Sequence, residues 1–161
     1  MTSVNTARRA FLRGDIHAKH FHVRMPWIVE GFTDICDRCG DCIDACEEQI
    51  LIKGDGGYPS VNFQLGGCTF CGNCVKACQK NALRNTDEPA WNLYAAIGEQ
   101  CLDSRGITCR ACGDACDQRA IRFQLQVGGI ATPTLDQNLC NGCGSCIAVC
   151  PIHIIQIQEA A

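Results

Sequence analysis

The chain has 161 residues, a formal net charge of −3 and 16 cysteines. The near-even charge balance does not suggest a nucleic-acid binder, and no segment approaches the roughly 18 apolar residues of a membrane span. The hydrophobic fraction of 47% includes the cysteines, so few large apolar side chains remain for a core. Small units of this composition need disulfides or metals, because they bury too little surface to offset chain entropy.

The chain opens with a basic arm, predicted over residues 1–26. Residues 1–24 contain five basic side chains and one acidic, so this segment carries +4 and the remainder −7. The arm is either a solvated tail or a segment that docks onto an acidic or signal-peptide-binding partner. Arg8-Arg9 looks like a twin-arginine export motif, but residues 14–20 are largely polar where an apolar region should follow. We therefore expect a cytoplasmic protein. The three histidines His17, His20 and His22 have no Cys close by, and we do not predict a metal site there.

The cysteines fall into four groups that leave none over. In three groups, three cysteines spaced three residues apart precede a fourth, four residues later; the third group in chain order is irregular. The groups are Cys36, Cys39, Cys42, Cys46; Cys68, Cys71, Cys74, Cys78; Cys101, Cys109, Cys112, Cys116; and Cys140, Cys143, Cys146, Cys150. This spacing is characteristic of [4Fe-4S] ligation in two-cluster bacterial ferredoxins. Disulfides would need an oxidising compartment, and zinc sites use separated Cys pairs. We predict four [4Fe-4S] clusters bound by all sixteen cysteines.

Two pairings of the groups are possible. In two-cluster ferredoxins, the last cysteine of one group completes the cluster of its partner group. Tandem pairing joins groups one and two, and groups three and four; nested pairing joins one with four, and two with three. An internal repeat with an offset of about 70 residues favours the tandem arrangement.

The third group departs from the other three. Glycine follows the second cysteine at Gly40, Gly72 and Gly144, where the backbone must bend around a cluster, but Arg110 stands there in group three. Seven residues also separate Cys101 from Cys109. We therefore predict a looser, differently hydrogen-bonded loop, whose cluster has an altered potential or lability.

The repeat also predicts an α+β fold of tandem two-cluster ferredoxin-like units, each β-α-β-β-α-β. The sequence predicts two hairpins, each a strand, a turn at a glycine pair and a second strand. The strands are predicted at 50–52 and 59–61 in the first hairpin, and at 121–123 and 133–135 in the second. The predicted units span 27–84 and 101–161, with a linking helix within 85–100 between Pro89 and Gly98. Trp91 and Tyr94 are interpreted as packing residues that join the halves, rather than electron relays.

No P-loop, dinucleotide fingerprint or nucleophile–base motif is present, so the sequence does not indicate an enzyme. The chain resembles the NapF family, the ferredoxin-type proteins of the periplasmic nitrate reductase system. The resemblance rests on Ala7-Arg8-Arg9, the segment 56–63, the irregular third group and the segment 139–144. In one departure from common ferredoxins, proline follows the last cysteine of a group only at Cys150, while Glu47, Gln79 and Asp117 stand at the other three.

The resemblance implies a cytoplasmic [4Fe-4S] protein that binds the precursor of the molybdenum-containing catalytic subunit before its export. It also implies that the protein aids maturation of that subunit, with a redox donor as a second partner. The alternative from the residues alone is a general electron-transfer ferredoxin, which passes single electrons to a redox partner.

Overall fold

A computed structural model of the chain describes residues 24–84, 88–126 and 128–159. The predictions made for Arg8-Arg9, the rest of the basic arm up to residue 23 and the three N-terminal histidines lie outside these ranges. Within them, no helix has the length and apolar character needed to cross a membrane.

The elements are short, which suits a fold held together by its loops. The helices are α1 Phe32–Ile35, α2 Asp41–Asp44, α3 Asn73–Ala77, α4 Ala111–Asp114 and α5 Ser145–Ala148. The strands are β1 Leu51–Lys53, β2 Pro59–Val61, β3 Leu93–Ile97, β4 Ile121–Leu125, β5 Ala131–Leu135 and β6 Ile155–Glu159. Two 3-10 turns lie at Asp55–Gly57 and Asp103–Arg105. This mixture of small helices and strands is that of an α+β fold, as predicted.

The two predicted hairpins are confirmed. Strands β1 and β2 pair antiparallel with Ile52 opposite Ser60, and β4 pairs antiparallel with β5 with Phe123 opposite Pro133. The glycine pairs at 56–57 and 128–129 form the turns, and all four of these glycines have φ between +66° and +98°. That region is open to glycine because it lacks a Cβ.

The predicted linking helix is wrong, because residues 93–97 form strand β3. This strand pairs antiparallel with β6 along its whole length, with Ala95 opposite Ile157. The pairing buries Ala95, Ile155 and Ile157 to 6% exposure or less, which outweighs any local helix preference. Gly98 does not cap a helix; a Cβ there would lie 2.5 Å from Ile154, so glycine permits close strand approach.

Strand β3 belongs with the second half. That half runs β3, α4, β4, β5, α5, β6, and its first and last strands pair. The predicted start at residue 101 therefore omits a strand. In the first half the corresponding contact is a single antiparallel bridge between Ile28 and Leu83.

The core is small and depends on cysteine. Six of its buried members are cysteines, and Ile50 is the one large side chain below 2% exposure among the described residues. Trp91 packs edge-on against Phe63 and Phe70 of the first half at centroid distances of 5.8 and 5.7 Å. Its indole N–H donates to the Asn141 carbonyl in the second half at 3.0 Å. Trp91 thus joins the halves as predicted.

Tyr94 does not share that contact. Its hydroxyl donates to the Gln158 side chain on the neighbouring strand β6, at 2.9 Å. This hydrogen bond lies within the second half.

Candidate metal centres

Four cavities are each lined by four cysteines. Site I has Cys36, Cys39, Cys42 and Cys78; site II has Cys46, Cys68, Cys71 and Cys74; site III has Cys101, Cys109, Cys112 and Cys150; site IV has Cys116, Cys140, Cys143 and Cys146. Each cavity therefore combines cysteines of groups one and two, or of groups three and four, as the tandem pairing requires. None of the four cavities has the combination that the nested pairing requires. The reason is topological, since α2 packs on α3 within the first half and α4 on α5 within the second.

The four sites differ in access to solvent. The space between the lining atoms, open solvent included, is about 400, 330 and 330 Å³ at sites II, III and IV, and about 740 Å³ at site I, which is the largest of the four. Cys39 of site I and Cys71 of site II are exposed, whereas every cysteine of sites III and IV is buried or half-buried. The first half therefore presents its thiols more openly than the second.

The turn after the last cysteine of each group is repeated four times. The residue three positions later has a φ between +49° and +54° and donates its amide N–H to the carbonyl of that cysteine. These residues are Gln49, Asn81, Arg119 and His153. The repeat shows that Cys46, Cys78 and Cys116 are held in the same local fold as Cys150, although they lack its following proline. All four groups are therefore folded alike at this end.

At the other end, the loops of groups one, two and four share a second geometry. The residue before the second cysteine and the glycine after it both have positive φ, as at Phe70 (57°) and Gly72 (73°). Gly40, Gly72 and Gly144 each begin the following helix from this left-handed conformation. The predicted role of these glycines in bending the backbone is consistent with these angles.

The third group folds differently, as predicted. Arg110 has φ −123° and adopts no left-handed conformation. The insertion is nevertheless closed by hydrogen bonds, and Asp103–Arg105 form a 3-10 turn within it. The amide of Ile107 donates to the Leu102 carbonyl at 3.0 Å, and the Cys109 amide donates to the Asp103 carboxylate at 3.4 Å.

Burial and crowding shape the chemistry of the thiols. Burial raises the pKa of Cys74 and of Cys146 to about 12, and neighbouring thiols reinforce the effect. Burial likewise raises the pKa of Cys42, Cys68 and Cys112 to about 11. Four thiolates can occupy one such cavity only when cations offset their repulsion, so these sites favour iron-bound thiolates or neutral thiols.

The donor sets fit an iron–sulfur cluster. A tetrahedral zinc ion with Zn–S bonds of about 2.3 Å would draw four sulfurs to within about 4 Å of each other. Among the described residues, no group of three or more Cys, His, Asp or Glu is drawn together around a single-ion position. The four thiols instead surround a cavity, as a larger inorganic core requires.

A buried donor at site II fits the same interpretation. Trp27 lines this cavity, and its indole N–H is buried without a hydrogen-bond acceptor. Sulfur atoms of a cluster would supply an acceptor inside the cavity, and such bonds tune cluster potentials. Sequence reasoning did not assign Trp27 to this site, because the residue is close to these cysteines only in the folded structure.

Sites II and IV meet at the junction of the two halves. The Cys68 amide N–H donates to the Cys143 carbonyl at 2.7 Å, which links a ligand loop of each site directly. Close approach depends on Gly67 and Gly144, because a Cβ at either position would overlap Ser145 or the Phe63 ring. The junction therefore brings two cavities from different halves together.

Comparison with known proteins agrees with this geometry. The family model of the 4Fe-4S dicluster domain matches residues 35–82 and again 106–154. The fold and its cysteine-lined cavities thus define an iron–sulfur ferredoxin with several [4Fe-4S] clusters, which confirms the cofactor predicted from the spacing.

Relatives extend the match to nearly the whole chain. The chain is 42% identical to the ferredoxin-type protein NapF of Haemophilus influenzae, over 99% of this chain and 97% of the relative. It is 41% identical to the protein of the same name from Escherichia coli K12, over 96% of each. It is also 30% identical to the methylamine utilization ferredoxin-type protein MauM of Methylophilus methylotrophus, over 79% of this chain and 64% of the relative. The chain belongs to the NapF family of ferredoxin-type proteins. Membership of this family, together with the two dicluster domains, identifies it as an iron–sulfur electron-transfer ferredoxin.

Proposed function

We propose that the sixteen cysteines bind four [4Fe-4S] clusters, one at each of sites I to IV. The observation that carries this proposal is the meeting of four thiols from two groups at every one of the four cavities. A bound cluster supplies reversible uptake of one electron. The cysteines would hold it, and mainly apolar residues surround it at sites II, III and IV, whereas charged residues such as Asp37 and Lys80 also line site I. Each half is then a two-cluster unit of the β-α-β-β-α-β type.

The arrangement supports electron transfer in the order I, II, IV, III. Helices α2 and α3 bring sites I and II together, and α4 and α5 do the same for sites III and IV. The hydrogen bond from Cys68 to Cys143 connects sites II and IV. Site I, with its large cavity and exposed Cys39, is the position where a partner can exchange electrons most directly.

Family membership supports a proposal for the biological role. The NapF family is associated with periplasmic nitrate reduction. We infer that this chain acts in the cytoplasm on the precursor of the molybdenum-containing catalytic subunit. There it supplies electrons or iron–sulfur units before export, and a separate redox donor reloads it.

Anaerobic metal analysis tests the cluster assignment. Protein purified without oxygen should contain about sixteen iron atoms and as many labile sulfides per chain, by the four-iron composition of each cluster. Zinc in place of iron, or cystines in place of thiolates, would overturn the assignment.

Capture of the precursor tests the partner. Tagged chain should retain the cytoplasmic precursor of the catalytic subunit, and a variant with Arg8 and Arg9 changed to Ala tests whether the arm contributes. The matched control changes Arg13 and Lys19 to Ala, which also removes two positive charges from the arm.

Deletion of the protein separates the two candidate roles. If the precursor's activity and cluster content fall on deletion, the chain is a maturation protein. If neither changes while the purified clusters still cycle with one-electron donors, the chain is a general electron carrier.

A further inference from the structure

Sites I and III occupy equivalent positions in the two halves, but they are closed differently. Each site takes three cysteines from the first group of its half and the last cysteine of the second group. Leu83 lines site I and Ile155 lines site III, and each stands five residues after that last cysteine, Cys78 or Cys150. The two sites can therefore be compared position by position.

A two-stranded sheet closes site III. Ile155 begins β6 and lies opposite Ile97 at the end of β3, and from this pair the ladder continues to Glu159. Ile97, Ile154 and Ile155 all line the cavity. Among the described residues, no charged side chain lines site III, and its ligand Cys109 is half-buried. Site III is thus covered by apolar side chains that a continuous ladder holds in place.

Site I lacks that cover. Within the described ranges, the equivalent contact is the single bridge between Ile28 and Leu83, which does not extend into a paired strand. The space between the lining atoms is about 740 Å³, against about 330 Å³ at site III, with open solvent included in both. A single bridge opens more readily than a ladder, because fewer hydrogen bonds must break together. The exposed residues that line site I are Asp37, Arg38, Cys39, Asp41, Gln79 and Lys80.

Site II separates the openness of a cavity from the exposure of one ligand. Cys71 of site II is exposed, as Cys39 of site I is. The space at site II is nevertheless smaller, at about 400 Å³ with open solvent included, and Pro26, Trp27 and Phe70 line it. An incoming ligand therefore has less room at site II than at site I, although each site offers one exposed cysteine.

We propose that site I is the ligand-exchange site of the chain, where an external thiolate takes the place of Cys39, and that the ladder of β3 and β6 closes site III against the same exchange. This inference rests on the proposed cluster at site I. In the exchange, the bond between the Cys39 sulfur and iron breaks, and a bond between the incoming sulfur and iron forms. The proton of the incoming thiol passes to Cys39, and no electron is transferred. Repeated at the other three cysteines of site I, the same exchange would release an iron–sulfur unit, which is the supply role proposed above.

The test follows the release of each cysteine in the cluster-loaded full chain without oxygen, with glutathione as the external thiol. After incubation, glutathione is removed by rapid desalting, and the freed cysteines are alkylated with iodoacetamide. The protein is then unfolded, its remaining cysteines are alkylated with isotope-labelled iodoacetamide, and mass spectrometry compares the two labels at each position. Cys39 should be freed about tenfold faster than Cys109, the second cysteine of its own group in site III, and than the exposed Cys71.

Two variants test the cover of site III without changing a ligand. Ile97→Ala shortens a side chain that lines the cavity. Tyr94→Ala, the matched control, shortens a side chain of the same strand that does not line it, and both residues are half-buried. Release of Cys109 should rise about fivefold in Ile97→Ala and change less than about twofold in Tyr94→Ala.

The proposal is overturned if the wild-type chain frees Cys71 or Cys109 as fast as Cys39, if it frees none of the three, or if Ile97→Ala leaves the release of Cys109 unchanged. If Ile97→Ala does not retain its clusters, the comparison of the three cysteines in the wild type decides. Wild-type protein that binds no iron would instead refute the proposed function.

Discussion

Substitution of Gly144 by alanine tests how closely the two halves pack against each other. It begins α5 with φ +82°, and a Cβ at this position would overlap the ring of Phe63 in the first half. Gly40 begins α2 with φ +98°, but a Cβ there meets only the end of the Lys53 side chain, 4.0 Å away. The pair therefore shares the backbone conformation and differs in the contact between halves.

The expected costs follow from this difference. Alanine in a left-handed conformation costs about 1–2 kcal/mol at either glycine. Overlap with a packed ring adds about 1–3 kcal/mol at Gly144 alone. With a urea dependence of about 2 kcal/mol/M, the Gly144→Ala midpoint should lie about 1 M below that of Gly40→Ala.

Anaerobic urea denaturation of the cluster-loaded protein, followed by far-UV circular dichroism and cluster absorbance, gives the midpoints. Midpoints are compared because metal-containing proteins often depart from two-state unfolding. Removing the ring with Phe63→Ala should cancel the extra cost of Gly144→Ala in a double-mutant cycle. Equal midpoints for the two alanine variants, or a Gly144→Ala cost unchanged by Phe63→Ala, would refute a junction packed against Phe63.

Three further predictions concern individual sites. Cys101→Ser should remove one EPR component and spare the others, because each cavity has its own four ligands; loss of all components together would contradict separate sites. Trp27→Phe keeps an aromatic ring but removes the buried N–H at site II, so the potential of one cluster should fall in a redox titration, and an unchanged set of potentials would exclude that donor. Removal of iron by a chelator should abolish most of the far-UV circular dichroism, because the described core relies on cysteine; a metal-free chain with native dichroism would show a self-sufficient core.

Much of the site was predictable because ligand spacing is local. The cysteine groups, the turn glycines of the hairpins and the left-handed Gly40, Gly72 and Gly144 all follow from residue types at fixed offsets. The preference for tandem pairing over nested pairing also agrees with the four cavities.

The remaining features depend on contacts that sequence spacing does not encode. Strand β3 forms because β6 supplies a partner from the far end of the chain, so Pro89 and Gly98 gave a misleading helix signal. Asp103 reaches Cys109 only through the particular turn of its insertion. The positive φ after each group is equally hidden, because Gln49, Asn81, Arg119 and His153 share no side-chain property that would mark a turn.

The Cys68–Cys143 hydrogen bond joins sites II and IV. Loss of a cluster would therefore have different consequences at the inner and the terminal sites. If electrons pass through the sites in the order I, II, IV, III, loss of a cluster at site I or site III only shortens the path. Loss of the cluster at site II or site IV interrupts the path between the two halves. Cys71 of site II is exposed, so oxidation of this ligand would interrupt electron transfer between the two halves.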